Sequence, residues 1–148
     1  MGMPIKKFAD ELGGILPGFI KEMARRQMPS MAKANITIQQ VIVLEYLTVK
    51  KQAIMSGLAQ YMGVTLSAVT GLVDRMVRAK LASRHYDEKD RRIIIIRPTR
   101  KGKGIADDIN KRRHKFIMST FSKISEEDRG NYLRILTKVY SILLKTKR

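Results

Sequence analysis

The chain has 148 residues, with 30 lysines and arginines against 13 acidic residues, a formal charge of +17. Its 44% hydrophobic content suits a real core and argues against disorder, while the cation excess points to a polyanionic partner, nucleic acid ahead of an anionic membrane surface. Absence of cysteine excludes disulfides, thiolate metal sites and thiol redox sensing. No stretch approaches the ~18 consecutive apolar residues of a membrane span, and no signal-peptide pattern opens the sequence, so a cytoplasmic protein is expected.

Ile5, Phe8, Leu12, Ile15, Phe19 and Met23 recur at spacings of three and four, one apolar stripe of a helix. Pro17 cannot donate to the Gly13 carbonyl, so the spacing predicts a kink or break there. Met28-Pro29-Ser30 reads as a loop. With little chain before it, such a stripe needs a partner, in this chain or in a second copy. Thr37 and Gln40 then form a capping box, with Ile36 and Val41 as the hydrophobic staple of a helix running to about Thr48. Lys50 to Gln52 is a polar connector.

From Ser56 to Lys80 the pattern is helix-turn-helix. Leu58 and Ala59 lie on the first helix, Gly63-Val64 at the turn, and Val69 and Leu72 on the second. Ala59 is small where the helices cross, and Gly63 can take the left-handed conformation that a Cβ penalises. Val64, Val69 and Leu72 are expected to fill the wedge. Thr65 is the candidate N-cap of the second helix. At 100° per residue Leu66, Val69, Leu72, Val73, Met76 and Val77 share its inner side. Ser67, Ala68, Gly71, Asp74, Arg75 and Arg78 share the outer one, with Thr70 at the margin. Small residues let a helix approach base edges, and arginines reach phosphates.

Leu81–Tyr86 and Arg92–Arg97 read as strands around the polar turn Asp87–Arg91, a hairpin with a charged tip. After Pro98, Thr99 caps a long helix expected to reach Ile124, with apolar positions Ile105, Ile109, Phe116 and Phe121. Ser125 caps a last helix with Glu126, Glu127 and Asp128 at its positive end and Lys145, Lys147 and Arg148 at the other. Leu133, Leu136, Tyr140 and Leu143 make its stripe.

The run Ser67-Ala68-Val69-Thr70-Gly71-Leu72-Val73-Asp74-Arg75-Met76, followed by Arg84-x2-Asp87-x2-Asp90-Arg91-Arg92, resembles the MarR family of bacterial and archaeal transcription regulators. The likeness extends to the order of elements along nearly the whole chain. It implies a mainly α fold with a small β-hairpin wing, a winged helix-turn-helix flanked by N- and C-terminal dimerisation helices. As one domain over 1–148, the DNA-binding lobe would be 37–98 and the dimerisation region 4–28 and 99–146. It further implies a homodimer on a near-palindromic operator of double-stranded DNA. Thr65, Ser67, Ala68 and Thr70 would face bases or phosphates, Arg75 the backbone, and Lys89 and Arg91 the DNA beneath the wing, Arg91 entering the minor groove. Asp90 and Arg92 would shape the wing, or form a turn-stabilising ion pair without touching DNA. Arg84 would contact phosphate or pair with Asp87. Three positions depart from the family pattern: Lys80 where glycine is frequent, Pro98 before Thr99 where leucine is frequent, and Gly71 where a larger, often basic, residue is common.

The remaining residues point away from catalysis. His85 and His114 have no ligand spacing, and Asp87, Glu88 and Asp90 are interleaved with Lys89 and Arg91, which suits a turn rather than a cation site. No phosphate-binding glycine loop or nucleophile elbow occurs. No catalytic residue, metal or cofactor is expected. The reading is a sequence-specific transcriptional regulator, a repressor by family habit, released by a small aromatic or anionic effector. Phe19, Met23, Leu47 and Met62 are candidates for the effector pocket, since methionine lines adaptable sites. The alternative is a non-specific architectural DNA-binding protein, which the charge and the short side chains on the second helix also fit.

Overall fold

The computed structural model describes residues 2–145, and residues 27–30 and 33 by their backbone alone. Lys147 and Arg148, expected at the end of the last helix, and residue 146, expected to close the dimerisation region, lie outside the described residues. Among the described residues six helices and three short strands follow in order: α1 (Ile5–Ala34), α2 (Ile38–Lys50), β1 (Ala53–Ile54), α3 (Met55–Met62), α4 (Leu66–Arg78), β2 (Ala82–Tyr86), β3 (Ile94–Pro98), α5 (Arg100–Phe121) and α6 (Glu126–Lys145). This is the mainly α, winged helix-turn-helix architecture that the sequence implied. The chain divides into two compact units, one up to Ile109 and one from Asn110.

In the first unit α1 departs from expectation. It passes Pro17 unbroken, and it continues through residues 28–30, where a loop is expected, to stop at Asn35 in the left-handed conformation. Each proline deletes one backbone hydrogen bond, and the carbonyls so orphaned, at Gly13 and Arg25, belong to exposed residues that water can satisfy. The helix is held instead at its far end, where Met31 and Ala34 pack against the core. Tertiary anchoring outweighs the local breakers.

The α2 start is built as its sequence predicts. Thr37 N–H donates to Gln40 Oε1 at 2.9 Å, and Gln40 N–H to Thr37 Oγ1 at 3.3 Å. Val43, Leu44 and Leu47 put α2 at the centre of the core, where Leu58 of α3, Val69, Val73 and Met76 of α4, and Ile96 of β3 meet it, all fully buried. The strands form an antiparallel sheet of order β1-β3-β2, with Ala53 opposite Ile96 and Arg84 opposite Ile96 from the other side. β1, only two residues long, follows the polar connector without a strand signal of its own. It carries no alternation and is recruited by the edge of β3.

Gly63 ends α3 at φ 65, where the Gly63 and Val64 amides return to the Gln60 and Ala59 carbonyls. Val69 and Leu72 fill the wedge as expected. Val64 and Leu66 do not: they are 43% and 54% exposed. Val64 leaves the turn before α4 begins, and Leu66 sits in its first turn, ahead of the part that runs under α3.

In the second unit α6 is capped by Ser125, whose Oγ accepts from Asp128 N–H at 3.1 Å and donates to Asp128 Oδ2 at 2.6 Å. Ser125 also limits α5, which stops at Phe121 rather than Ile124, the intervening residues forming a turn. Phe121 and Tyr132 bring their rings within 5.2 Å. No residue of α6 is buried, and Leu143 is 64% exposed. On α1, Phe8, Leu12 and Phe19 are exposed as well, and Ile15 is 66% exposed. Among the described residues, the stripe of α6 and that of α1 from Ile5 to Phe19 are each largely exposed.

Candidate nucleic-acid interface

Helix α4 presents an outer face whose chemistry changes along its length. Thr65 caps it, with Oγ1 accepting from Ala68 N–H at 3.2 Å, and Ser67, Ala68 and Thr70 follow, all exposed. The Thr70 hydroxyl is returned to its own helix, donating to the Leu66 carbonyl at 2.8 Å. At Gly71 a Cβ would meet nothing nearer than Arg75 Nη1, 3.6 Å away, so the guanidinium leans back over the gap glycine leaves. Arg75 and Arg78 occupy the last turn, exposed, where they also suit the negative end of the helix dipole.

Beside α4 stands the wing. Asp87 Oδ1 accepts the amides of Lys89 at 2.9 Å and Asp90 at 3.0 Å, closing the turn. Asp90 in turn accepts from the Arg92 amide at 3.0 Å and from Arg92 Nε at 3.1 Å. Hydrogen bonds from the Arg92 guanidinium, then from its amide, hold the Asp90 carboxyl below its ordinary range. These two carboxylates are thus committed inside the turn. Lys89 and Arg91 are exposed and make no ion pair among the described residues. Arg91 borders a tip cleft with Tyr86, Asp87 and Glu88, and Tyr86 is 68% exposed.

Arg84 does not pair with Asp87, one of the two partners the sequence suggested. Asp87 is turned into the tip, and Arg84 Nη1 instead lies 2.5 Å from Asp74 Oδ1 on α4. The register explains it: Arg84 is opposite the buried Ile96, so its side chain falls on the sheet face turned toward α4. With Leu66, Thr70, Arg92 and Ile93 it lines a cleft of about 410 Å³ between α4 and the wing. Tyr86 and the exposed Leu66 join the site without a sequence motif to mark them, and Asp74, inside the Ser67–Met76 run, has no role assigned there. Only the outward position of Asp74 on the helical wheel hints at a role.

The four effector-pocket candidates are scattered in character. Leu47 has no exposed surface, Met23 and Met62 are half-buried, and Phe19 is half exposed on α1. Among the described residues no three histidine, aspartate or glutamate side chains gather in a way that would hold a metal ion, and no helix is long and apolar enough to cross a membrane.

Residues 34–93 match the sequence profile of the MarR family. Two proteins of Bacillus subtilis (strain 168) are similar. The uncharacterized HTH-type transcriptional regulator YfiV is 28% identical over 97 residues, a match spanning 66% of this chain and 61% of YfiV's length. The HTH-type transcriptional repressor MdtR is 27% identical over 124 residues, spanning 84% of this chain and 80% of MdtR. A MarR family protein of Bacillus stearothermophilus superposes with a TM-score of 0.83 at 25% identity, covering 97% of this chain and 99% of that one. The chain is thus similar to MarR-family proteins, in sequence over residues 34–93 and in fold along nearly its whole length. The fold is shared as well with a MepR–DNA complex from S. aureus, at a TM-score of 0.71 and 23% identity, covering 88% of this chain and 98% of that one.

Two positions of the MarR pattern acquire a physical reading. Lys80, a departure from it, adopts φ 59, in the left-handed region that glycine enters freely. Gly102, by contrast, keeps the glycine of the Thr99-x-x-Gly segment, and a Cβ there would sit 2.1 Å from the Leu81 carbonyl oxygen. The helix α5 can approach the α4–β2 junction this closely only because that Cβ is missing.

Proposed function

We propose that this chain is a MarR-family regulator that binds double-stranded DNA as a homodimer, reads a near-palindromic operator and acts as a repressor. One observation carries the proposal. A helix face that is small and polar at its start and basic at its end stands beside a wing whose Asp87 and Asp90 are committed inside the turn and whose Lys89 and Arg91 are exposed. Thr65, Ser67, Ala68 and Thr70 would meet base edges and phosphates in the major groove, and Arg75 would hold the backbone. Lys89 and Arg91 would follow the flanking minor groove, with Asp90 and Arg92 setting the shape of the tip. The DNA complex of MepR and the repressor name of MdtR support the direction of the reading. The lobe 37–98 would supply DNA contacts. The exposed stripes of α1 and α6 would supply the dimer contacts, so that the region assigned to 4–28 extends to Ala34. Release by a small aromatic or anionic effector belongs to the same proposal. Of its candidate residues Phe19, Met23 and Met62 are accessible at once, and Leu47 only after a rearrangement.

Selection of bound sequences from a random duplex pool tests this directly. A two-fold half-site pattern supports it; no enrichment sinks it. One observation favours the second reading, a non-specific architectural protein: position 71 is a glycine, so no long side chain stands in the middle of the reading face. Competition with a large excess of random duplex at fixed physiological salt separates the two, because only operator binding survives it.

A further inference from the structure

Asp74 poses a puzzle for a DNA-facing helix. It is a carboxylate in the outer sector of α4, between Gly71 and the arginines, and it would repel phosphates if left alone. It is not left alone. Its Oδ1 lies 2.5 Å from Arg84 Nη1, with about a third of each side chain exposed or slightly more, 42% for Asp74 and 32% for Arg84. Arg84 springs from the middle of β2, opposite the fully buried Ile96, so its backbone is fixed by the sheet. Among the described residues this is the ion pair that joins α4 to the wing. At the base of the wing Val73 and Met76 of α4 share a buried core with Ala82 and Ile96, but outward of that core a cleft of about 410 Å³ lies beside Leu66, Thr70 and Arg84, so the ion pair is the link between α4 and the outer wing.

We propose that Asp74 and Arg84 are positioning residues. Their ion pair latches the wing against the recognition helix, fixing the distance between the groove-reading elements, and it withholds the Arg84 charge from phosphates. The inference rests on the DNA-binding reading above. The latch trades affinity for selectivity. Cutting it frees a cation, which favours any DNA, and loosens the spacing, which harms only the operator.

The test measures binding of the full chain, at several salt concentrations, to an operator duplex from the selection and to a random duplex. Asp74→Asn is expected to weaken operator binding about tenfold while random binding holds or tightens, so the preference falls at least tenfold. Its salt slope on random DNA should steepen by about 0.9 for each new phosphate contact. Arg84→Met should lose the same preference with the wild-type salt slope unchanged, because Arg84 touches no phosphate. The exchange Asp74→Arg with Arg84→Asp should recover most of the preference, a rescue that a generally damaged fold would not show. If Arg84→Met flattens the slope by about 0.9 per contact, Arg84 binds phosphate directly and the latch is overturned. A preference unchanged in both single variants overturns it as well, with the DNA reading intact. Wild-type chain that binds neither duplex, or both alike, overturns the DNA reading or its specificity and the latch together. Should Asp74→Asn fail to fold, judged by circular dichroism, Arg84→Met carries the same decision alone.

Discussion

Replacing Gly102 by alanine tests the close approach of α5 to the α4–β2 junction. The added Cβ would lie 2.1 Å from Leu81 O, 3.0 Å from Leu81 C and 2.9 Å from Leu44 Cδ2. A tolerable carbon–oxygen contact is about 3.3 Å, so α5 and the Leu81 peptide must separate by roughly 1.2 Å. That peptide is backbone held on both sides: its carbonyl accepts from Thr99 N–H at 3.0 Å and its amide donates to Met76 O at 2.8 Å. Thr99 also donates from Oγ1 to Lys80 O at 2.7 Å and accepts from Gly102 N–H at 3.0 Å. Overpacking costs about 1–3 kcal/mol, and one hydrogen bond stretched beyond use adds about 1 kcal/mol. The sum, roughly 2–4 kcal/mol, corresponds to a Tm fall of about 5–15 °C for a chain of this size. Gly104 provides the control. It lies on the same helix, and a Cβ added there would meet nothing within 4 Å, so Gly104→Ala should stabilise by up to ~1 kcal/mol through helix propensity. Thermal melts of the two variants, followed by circular dichroism, should move in opposite directions. A Gly102→Ala protein as stable as Gly104→Ala would refute the reasoning.

Lys80 sits at φ 59, so Lys80→Gly should leave Tm equal or raise it by a few degrees, relieving ~1 kcal/mol of left-handed strain, whereas Lys80→Val should lower it. Arg91→Ala is expected to cost ~1–3 kcal/mol of operator binding without changing the melt; unchanged affinity would remove Arg91 from the interface. Asp90 titrates below the ordinary 3.8 because Arg92 donates to it. Its contribution to wing-tip order is therefore present above 3.8 and lost as pH falls through the lower folded-state value. Amide NMR signals of residues 88–92 should report that loss, and Arg92→Ala should bring the titration back up. Removing the residues before Pro29 should yield monomers or aggregates by light scattering, and a well-behaved dimer would clear α1 of a dimer role.

What could be read from sequence divides by the range of the interaction. Thr37 with Gln40, Gly63, Thr65 and Ser125 announce helix ends because a cap is satisfied within four residues. The wedge residues Val69 and Leu72 follow from helical period alone. Apart from the end of α5 and the exposure of Val64, which have local causes, the failures are non-local. α1 runs through Pro29 because Met31 and Ala34 find the core beyond it. β1 exists because β3 offers an edge. Arg84 turns to Asp74, ten residues back, because strand register aims it at α4, whereas proximity in sequence favoured Asp87. The outer face of α4 was legible residue by residue, yet the partner that occupies its one carboxylate was not.

The junction around Leu81 and Gly102 gives these details a mechanical meaning. Arg100, Lys101 and Lys103 crowd the start of α5, the positive end of its dipole, with no acid in the first turn. The conflict is eased by the end of α4, whose unpaired carbonyls carry the opposite sign. Lys101 Nζ donates to Ala79 O at 2.9 Å, and Thr99 Oγ1 to Lys80 O. The Leu81 peptide then leads directly into β2, and through Arg84 back to Asp74. Recognition helix, wing and the first turns of α5 are thereby tied at one point, with no room at Gly102 for α5 to slide. Because close-packed contacts transmit displacement instead of absorbing it, a shift in the start of α5 must carry α4 and the wing with it.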